Sequence, residues 1–188
     1  MKDTDALELI NTDMIPALDE VGKGFEAGTV FLPQLLMSAE AAKAAFAVVK
    51  ESMEANGEVQ EKKGKVILAT VKGDIHDIGK NIVKVLLENY SYDVLDLGKD
   101  VPPETIVETA VEQHIELVGL SALMTTTVPS MEETIVQLRK AAPWAKVMVG
   151  GAVLTQEYAD TMGADQYCRD AMASVNYAEQ VLSLIHIS

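Results

Sequence analysis

The chain of 188 residues has room for one full domain and a smaller attachment, and its 48% hydrophobic, 5% aromatic composition predicts an aliphatic core. Lys plus Arg number 15 against 29 Asp plus Glu, a formal charge of −14 with no basic stripe, which excludes a nucleic-acid backbone as partner. No secretory leader and no bilayer-length apolar run is present, and the lone Cys168 rules out an intrachain disulfide, so the expected compartment is a reducing cytoplasm.

Residues 4–55 read as helical. Ile10, Met14, Ile15, Leu18, Val21 and Phe25 fall on one stripe, and Leu32, Leu35, Leu36, Ala39, Ala42, Phe46, Val49 and Met53 on another. Between them FEAGTVFLP holds Gly28 and Pro33 and reads as a turn, with Pro33 in the first turn of the second helix. Two helices cannot enclose both stripes, so further helices or a partner must cover them. Residues 54–64, EANGEVQEKKG, are polar and read as a linker.

From Lys65 the rhythm becomes strand then helix. KVILATV (65–71) is a strand, and Ile78, Ile82, Val85, Leu86 and Asn89 mark the helix behind it. DVLDLG (93–98) precedes a helix opening at Pro102-Pro103-Glu104. LVGLSAL (117–123) leads to a helix beginning SMEE, where Ser130 and Glu133 suit a capping box. KVMVGG (146–151) is followed by LTQEYADTMG, a short QYCRD strand and a last helix over 172–181. Apolar strands alternating with helices predict a parallel sheet covered on both faces, an α/β flavodoxin-like fold of five strands ordered 2-1-3-4-5. Ligands then sit beyond the C-terminal strand ends, at the switch between strands one and three. The expected organisation is a helical cap at 1–56, N-terminally truncated, a linker at 57–64 and a sheet domain at 65–181. LSLIHIS (182–188) reads as a non-native tail and, His186 included, carries no functional argument.

The first strand delivers GDIHDIGKN (73–81) to that switch point, and three chemistries suit such a loop. A phosphate loop fails on spacing, because five residues separate Gly73 from Gly79 and Asn81 stands where Ser or Thr belongs. A two-metal hydrolytic centre needs more ligands, yet the later strand ends offer LGKD, SALMTTT and VGGAVLT, and His114 is placed inside a helix. The third is axial ligation of a macrocyclic cofactor. One exposed imidazole, His76, supplies one bond, Asp74 holds its other N–H, and Gly79 admits a bulky group. Ser121-Ala122-Leu123 and Gly150-Gly151 place small residues where a nucleotide-like tail could pack.

Asp74-x-His76-x-x-Gly79, then Ser121-x-Leu123, then Gly150-Gly151, resembles the cobalamin-binding module of cobalamin-dependent methionine synthase and of corrinoid proteins of methyltransferase systems. The likeness covers residues 8 to about 181, with MIPALDEVGKGFEAGTVFLPQLLMSAEAAKAAF similar to the family's cap. It implies cobalamin, as methylcobalamin, for cofactor and His76 as lower axial cobalt ligand in place of dimethylbenzimidazole. It implies an Asp74–His76 hydrogen bond extended by a hydroxyl at Thr127, where methionine synthases carry Ser. Gly73, Ile75, Asp77 and Gly79 complete the loop. Ser121, Leu123, Thr125, Gly150 and Gly151 line the tail slot, Tyr167 to Ala171 close it, and Phe25 and Leu32 cover the upper face.

Bland alternatives stand beside these roles. Phe25 and Leu32 sit on apolar stripes that core packing explains, Gly150-Gly151 suits a strand-to-helix turn, and Ser121 suits a small core position. Met124 reads as packing, Cys168 as a buried small residue, and His114 as surface. The expected function is a methyl carrier between donor and thiol acceptor, closest to methionine synthase and incomplete without partner domains or subunits. The alternatives are a stand-alone corrinoid protein of a methylamine or methanol type system, a mutase domain, or a regulator.

Overall fold

The computed structural model describes residues 10–55 and 62–185, so most of the expected linker lies outside the described residues. The chain divides into two compact units, Met1–Glu61 and Lys62–Ser188. In the first, a π-helical turn at Ile10–Met14 runs into α1 (Ile15–Glu26), and α2 (Leu32–Ala55) follows. Gly28 adopts φ 73°, the left-handed stop that favours glycine at a helix C-terminus. Gln34 accepts the Phe31 N–H at 2.8 Å, half of a capping box. Pro33 occupies the second position of α2, as expected. Phe31, Met37 and Val48 stand exposed.

The second unit alternates strand and helix throughout: β1 (Lys65–Val71), α3 (Ile78–Asn89), β2 (Asp93–Val101), α4 (Pro103–Glu112) and β3 (Leu117–Ser121). A short 3-10 turn (Thr125–Thr127) leads into α5 (Val128–Ala141), then β4 (Lys146–Gly150), α6 (Gln156–Thr161), β5 (Gln166–Tyr167) and α7 (Ala171–Ile185). The strands form one parallel sheet ordered β2-β1-β3-β4-β5, as expected. Strand alternation gives each face its own core. Ile67, Ala69 and Val71 of β1, Val118 and Leu120 of β3, and Val147 and Val149 of β4 pack with Ile106, Met131, Ile135 and Leu138 beneath α4 and α5. The residues between them face α3 and α7. There Leu68, Gly119 and Met148 are in register, and so are Thr70, Ser121 and Gly150.

Five details depart from the sequence reading. β2 runs to Val101 rather than 98, with register shifts against β1. β3 stops at Ser121, where the chain turns toward the site. The capping box at Ser130 and Glu133 does not form, because α5 begins at Val128 with Pro129 in its first turn; the Ser130 carbonyl instead accepts from Thr134 Oγ1 at 2.7 Å. α7 continues to Ile185, and Leu182, assigned to the tail, is 2% exposed and packs beside Gly64. His114 lies past the end of α4 at φ 49°, stacked on Trp144 with ring centroids 4.5 Å apart. Among the described residues no helix is long and apolar enough to cross a membrane.

Candidate functional site

The C-terminal ends of β1 and β3 meet in a hydrogen-bonded cluster built around one carboxylate. β1 ends in a tight turn, with the Asp74 N–H donating to the Val71 carbonyl at 3.0 Å and Gly73 at φ 87°. That positive φ at the third position is the reason for glycine there. Asp74 is then carried inward and is fully buried. Its Oδ1 accepts the backbone N–H of His76 at 3.0 Å, the local Asx geometry open to an aspartate two residues before its donor. The same oxygen lies 2.8 Å from His76 Nδ1.

The other oxygen is held by the chain after β3. Asp74 Oδ2 accepts from Leu123 N–H at 2.7 Å and Met124 N–H at 3.2 Å. Thr127 Oγ1 lies 3.0 Å away and also 2.8 Å from the Met124 carbonyl. A hydroxyl has one proton, so Thr127 donates to one of these oxygens at a time. Burial alone would raise the Asp74 pKa, but the hydrogen bonds from His76, Leu123 and Thr127 outweigh it and hold the carboxyl well below the usual range. An ionised Asp74 fixes the proton on Nδ1 and leaves Nε2 with a free lone pair. The His76 side chain is 47% exposed. Nδ1 is therefore locked in an imidazole that is partly open to solvent.

Large apolar side chains of the same loop, of α3 and of the chain after β3 are exposed. Ile75 is 62% exposed, Ile78 52% and Leu123 41%, three large side chains gathered beside a polar loop. Gly79, in the first turn of α3, has nothing within 4 Å of where a Cβ would stand. Asp77 precedes α3 without a side-chain capping bond. Thr125 is exposed in the 3-10 turn.

Thr70, Ser121 and Gly150 form the last row on the α3/α7 face. Thr70 is completely buried, and its Oγ1 has no hydrogen-bond partner. A buried hydroxyl without a partner costs free energy, so this is a place for a polar ligand atom. Sequence reasoning missed Thr70, which looks like one more β-branched strand residue. Gly151 is glycine for a different reason: at φ 138° its Cβ would overlap the Ala122 carbonyl. That is the turn reading of Gly150-Gly151. Tyr167 donates its hydroxyl to the Leu154 carbonyl at 3.0 Å, while Ala171 opens α7 behind Asp170, whose Oδ1 accepts the Ala173 N–H at 2.8 Å. Cys168 is buried, as expected, and burial pushes its thiol pKa up.

The structure thus joins Asp74, His76, Leu123 and Thr127 directly and sets Ser121 beside Gly150. Phe25, 41% exposed in α1, and Leu32, at the start of α2, belong to the other unit. Lys80, read in the sequence only as part of a failed phosphate motif, is buried and donates to Asp96 at 2.5 Å. Among the described residues no group of three or more His, Cys, Asp and Glu side chains converges as a metal site.

A family model described as a B12 binding domain matches residues 64–182, and a second, likewise described, matches residues 1–50. Dimethylamine corrinoid protein 1 of Methanosarcina acetivorans is 40% identical over 95% of this chain and 84% of its own length. Among solved structures, a cobalamin-binding protein from Desulfitobacterium hafniense superposes with TM-score 0.79 at 33% identity, covering 93% of this chain and 82% of that one. The methanol:cobalamin methyltransferase complex of Methanosarcina barkeri gives TM-score 0.73 at 30% identity, with 95% and 68% covered.

Proposed function

The chain belongs to the B12-binding domain family, and from that premise we propose that it is a corrinoid protein that carries a methyl group between partner methyltransferases. The observation that carries this reading is the locked imidazole: Asp74 holds Nδ1 at 2.8 Å while the side chain stays about half exposed. His76, through Nε2, is the residue that would hold the corrinoid's cobalt. Ile75, Ile78 and Leu123 offer the apolar surface a macrocycle requires, and Gly79 leaves room for it. Thr70, Ser121 and Gly150 take a polar tail, with Thr70 Oγ1 the atom left to be satisfied. Thr125, Tyr167 and Ala171 border that slot. When bound, the corrinoid's cobalt supplies the chemistry of accepting and releasing a methyl group. The protein's part is to fix the Nδ1 proton through Asp74, to hold that carboxylate through Leu123, Met124 and Thr127, and to keep water from the apolar face.

Of the two methyl-carrying readings, the methylamine or methanol type is favoured over methionine synthase. The relative at 40% identity is a dimethylamine corrinoid protein, and a methanol:cobalamin methyltransferase complex contains the same architecture. The donor is therefore a small methylated compound presented by a separate methyltransferase, and the acceptor a thiol held by another.

The test is a cobalamin titration followed by absorbance, wild type against His76→Gly. Wild type should give a base-off, His-on spectrum, and the variant should lose it. A soluble, folded wild type that binds no cobalamin, or binds it with benzimidazole still on cobalt, overturns the assignment of His76.

A further inference from the structure

Both ends of the histidine loop are tied to one edge strand. Leu68 to Val71 of β1 pair against Asp96 to Val101 of β2, so the edge strand carries surplus residues, taken up where the register shifts. Gly98 there adopts φ 91° and Asp100 φ 53°. Bulges of this kind re-aim side chains beside functional sites. Left-handed backbone at a residue other than glycine costs free energy and persists where the surroundings require it.

Asp100 uses both of its polar groups on the loop's entry. Its Oδ1 accepts the Gly73 N–H at 2.7 Å, and its own N–H donates to the Asp74 carbonyl at 2.9 Å. Asp96 holds the exit. It accepts from buried Lys80, in the first turn of α3, at 2.5 Å and from the Gly98 N–H at 2.9 Å. The residues between these two ties include Asp74, Ile75, His76 and Asp77.

We propose that Asp100 and Asp96 are positioning residues, a two-point clamp that holds the His76 loop in the geometry in which Nε2 meets cobalt. This rests on His76 as the axial ligand, and extends it: the edge strand, through the loop, sets how often His76 is in place. Asp74 fixes the ring's proton, whereas the clamp fixes where the ring is.

The variants are Asp100→Gly, which keeps the left-handed backbone without strain and removes only the acceptor, and Asp100→Asn, which restores an acceptor oxygen. Two readouts are compared. In cofactor-free protein, hydrogen exchange is followed at the His76 and Leu123 amides, both bonded to Asp74 rather than to Asp100. In cobalamin-loaded protein, absorbance gives the ratio of His-off to His-on. Loss of one charge-assisted hydrogen bond corresponds to roughly tenfold in the loop's ordering equilibrium. Asp100→Gly should therefore speed both amides about tenfold, raise the His-off ratio by a similar factor, and leave the Val149 amide in the core unchanged. Asp100→Asn should recover most of both effects. Unchanged exchange at His76 and Leu123 in Asp100→Gly overturns the clamp, and so does an Asn variant as impaired as Gly. Wild type loading without His76 on cobalt sinks the axial-ligand reading and with it the clamp's role in ligation. The exchange arm then reports on the loop alone, which separates the two failures.

Discussion

Asp74→Asn changes one atom and should change which nitrogen of His76 can bind a metal. The carboxylate accepts from five donors: the His76 N–H and Nδ1–H on one oxygen, and Leu123 N–H, Met124 N–H and the Thr127 hydroxyl on the other. An amide has one oxygen. Turned toward the β3 side it keeps that set and presents NH2 to His76; turned the other way it sets NH2 against two backbone N–H groups. The first orientation wins because it strands fewer donors. The His76 N–H then loses its partner, and the amide donates to Nδ1, which must give up its proton. Neutral His76 becomes the Nε2–H tautomer, whose free lone pair points into the protein.

One stranded backbone donor and weaker bonds to the remaining set should destabilise the domain by about 2 kcal/mol. For a domain of this size that lowers the melting temperature by roughly 5–10 °C. Thermal unfolding followed by circular dichroism measures the first effect. Nitrogen-15 chemical shifts of the imidazole report the tautomer directly, and cobalamin absorbance reports ligation. The expected variant is folded, less stable, Nε2-protonated and His-off. An Asn variant with wild-type melting and a full His-on spectrum would refute the reasoning, since neither the charge nor the fifth acceptor contact would then matter.

Four further outcomes follow from the same geometry. Asp74, Asp96 and Asp165 are each pushed up by burial but held lower overall by hydrogen bonds and, for the last two, by Lys80 and Arg139. Below their unfolded values, near about pH 3.9, the unfolded chain binds more protons, so stability present at neutral pH is lost as pH falls; urea unfolding at pH 7 and pH 3 should show this, and Asp165→Asn should flatten the difference. Gly79→Ala removes a flexible residue from a helix with open space around it, so it should stabilise the fold by about 0.5–1 kcal/mol while weakening cobalamin binding in titration. Gly151→Ala should behave oppositely, costing roughly 3 kcal/mol or more through overlap with Ala122, measurable as loss of soluble protein or a collapsed melting temperature. Thr127→Ser should be near neutral in thermal unfolding, whereas Thr127→Val should cost about 1 kcal/mol for the missing donor.

The fold was legible because its signals are periodic. Uninterrupted apolar strands at 65–71, 117–121 and 146–150, each followed by a helical stripe, leave few arrangements other than a doubly covered parallel sheet. Asp74 and His76 were legible because titratable residues directly after a buried strand have little structural use. What escaped the sequence depends on contacts between distant segments. Asp100 looks like loop residue, and only the bulged register of β2 brings it to Gly73. Thr70 has the right propensity for its strand, and its orphaned hydroxyl shows only once both neighbouring strands are placed. Ser130 and Glu133 misled for the converse reason. A local capping pattern was present, but Pro129 and the loop's attachment to Asp74 started the helix at Val128 instead.

The site divides rigidity unequally, and the division has a chemical purpose. The groups that position His76 are tied: Asp74 is bonded by four residues from two strand ends, and the loop entry and exit are tied to a third strand. By contrast the side chains of Ile75, Ile78 and Leu123 are exposed and that of His76 is about half exposed. A residue that must bind cobalt reversibly gains little from a strong bond and much from a fixed position, because the ordering entropy has then been met during folding. The same arrangement sets what replacing His76 costs. Removing its side chain takes one of five donors from buried Asp74 and should cost about 1.5 kcal/mol, less than Asp74→Asn, which disturbs all five. Complete loss of cobalamin ligation at His76 with only this modest fall in melting temperature, set against the larger combined losses at Asp74, is the pattern that distinguishes a built ligand site from a histidine left in a loop by packing.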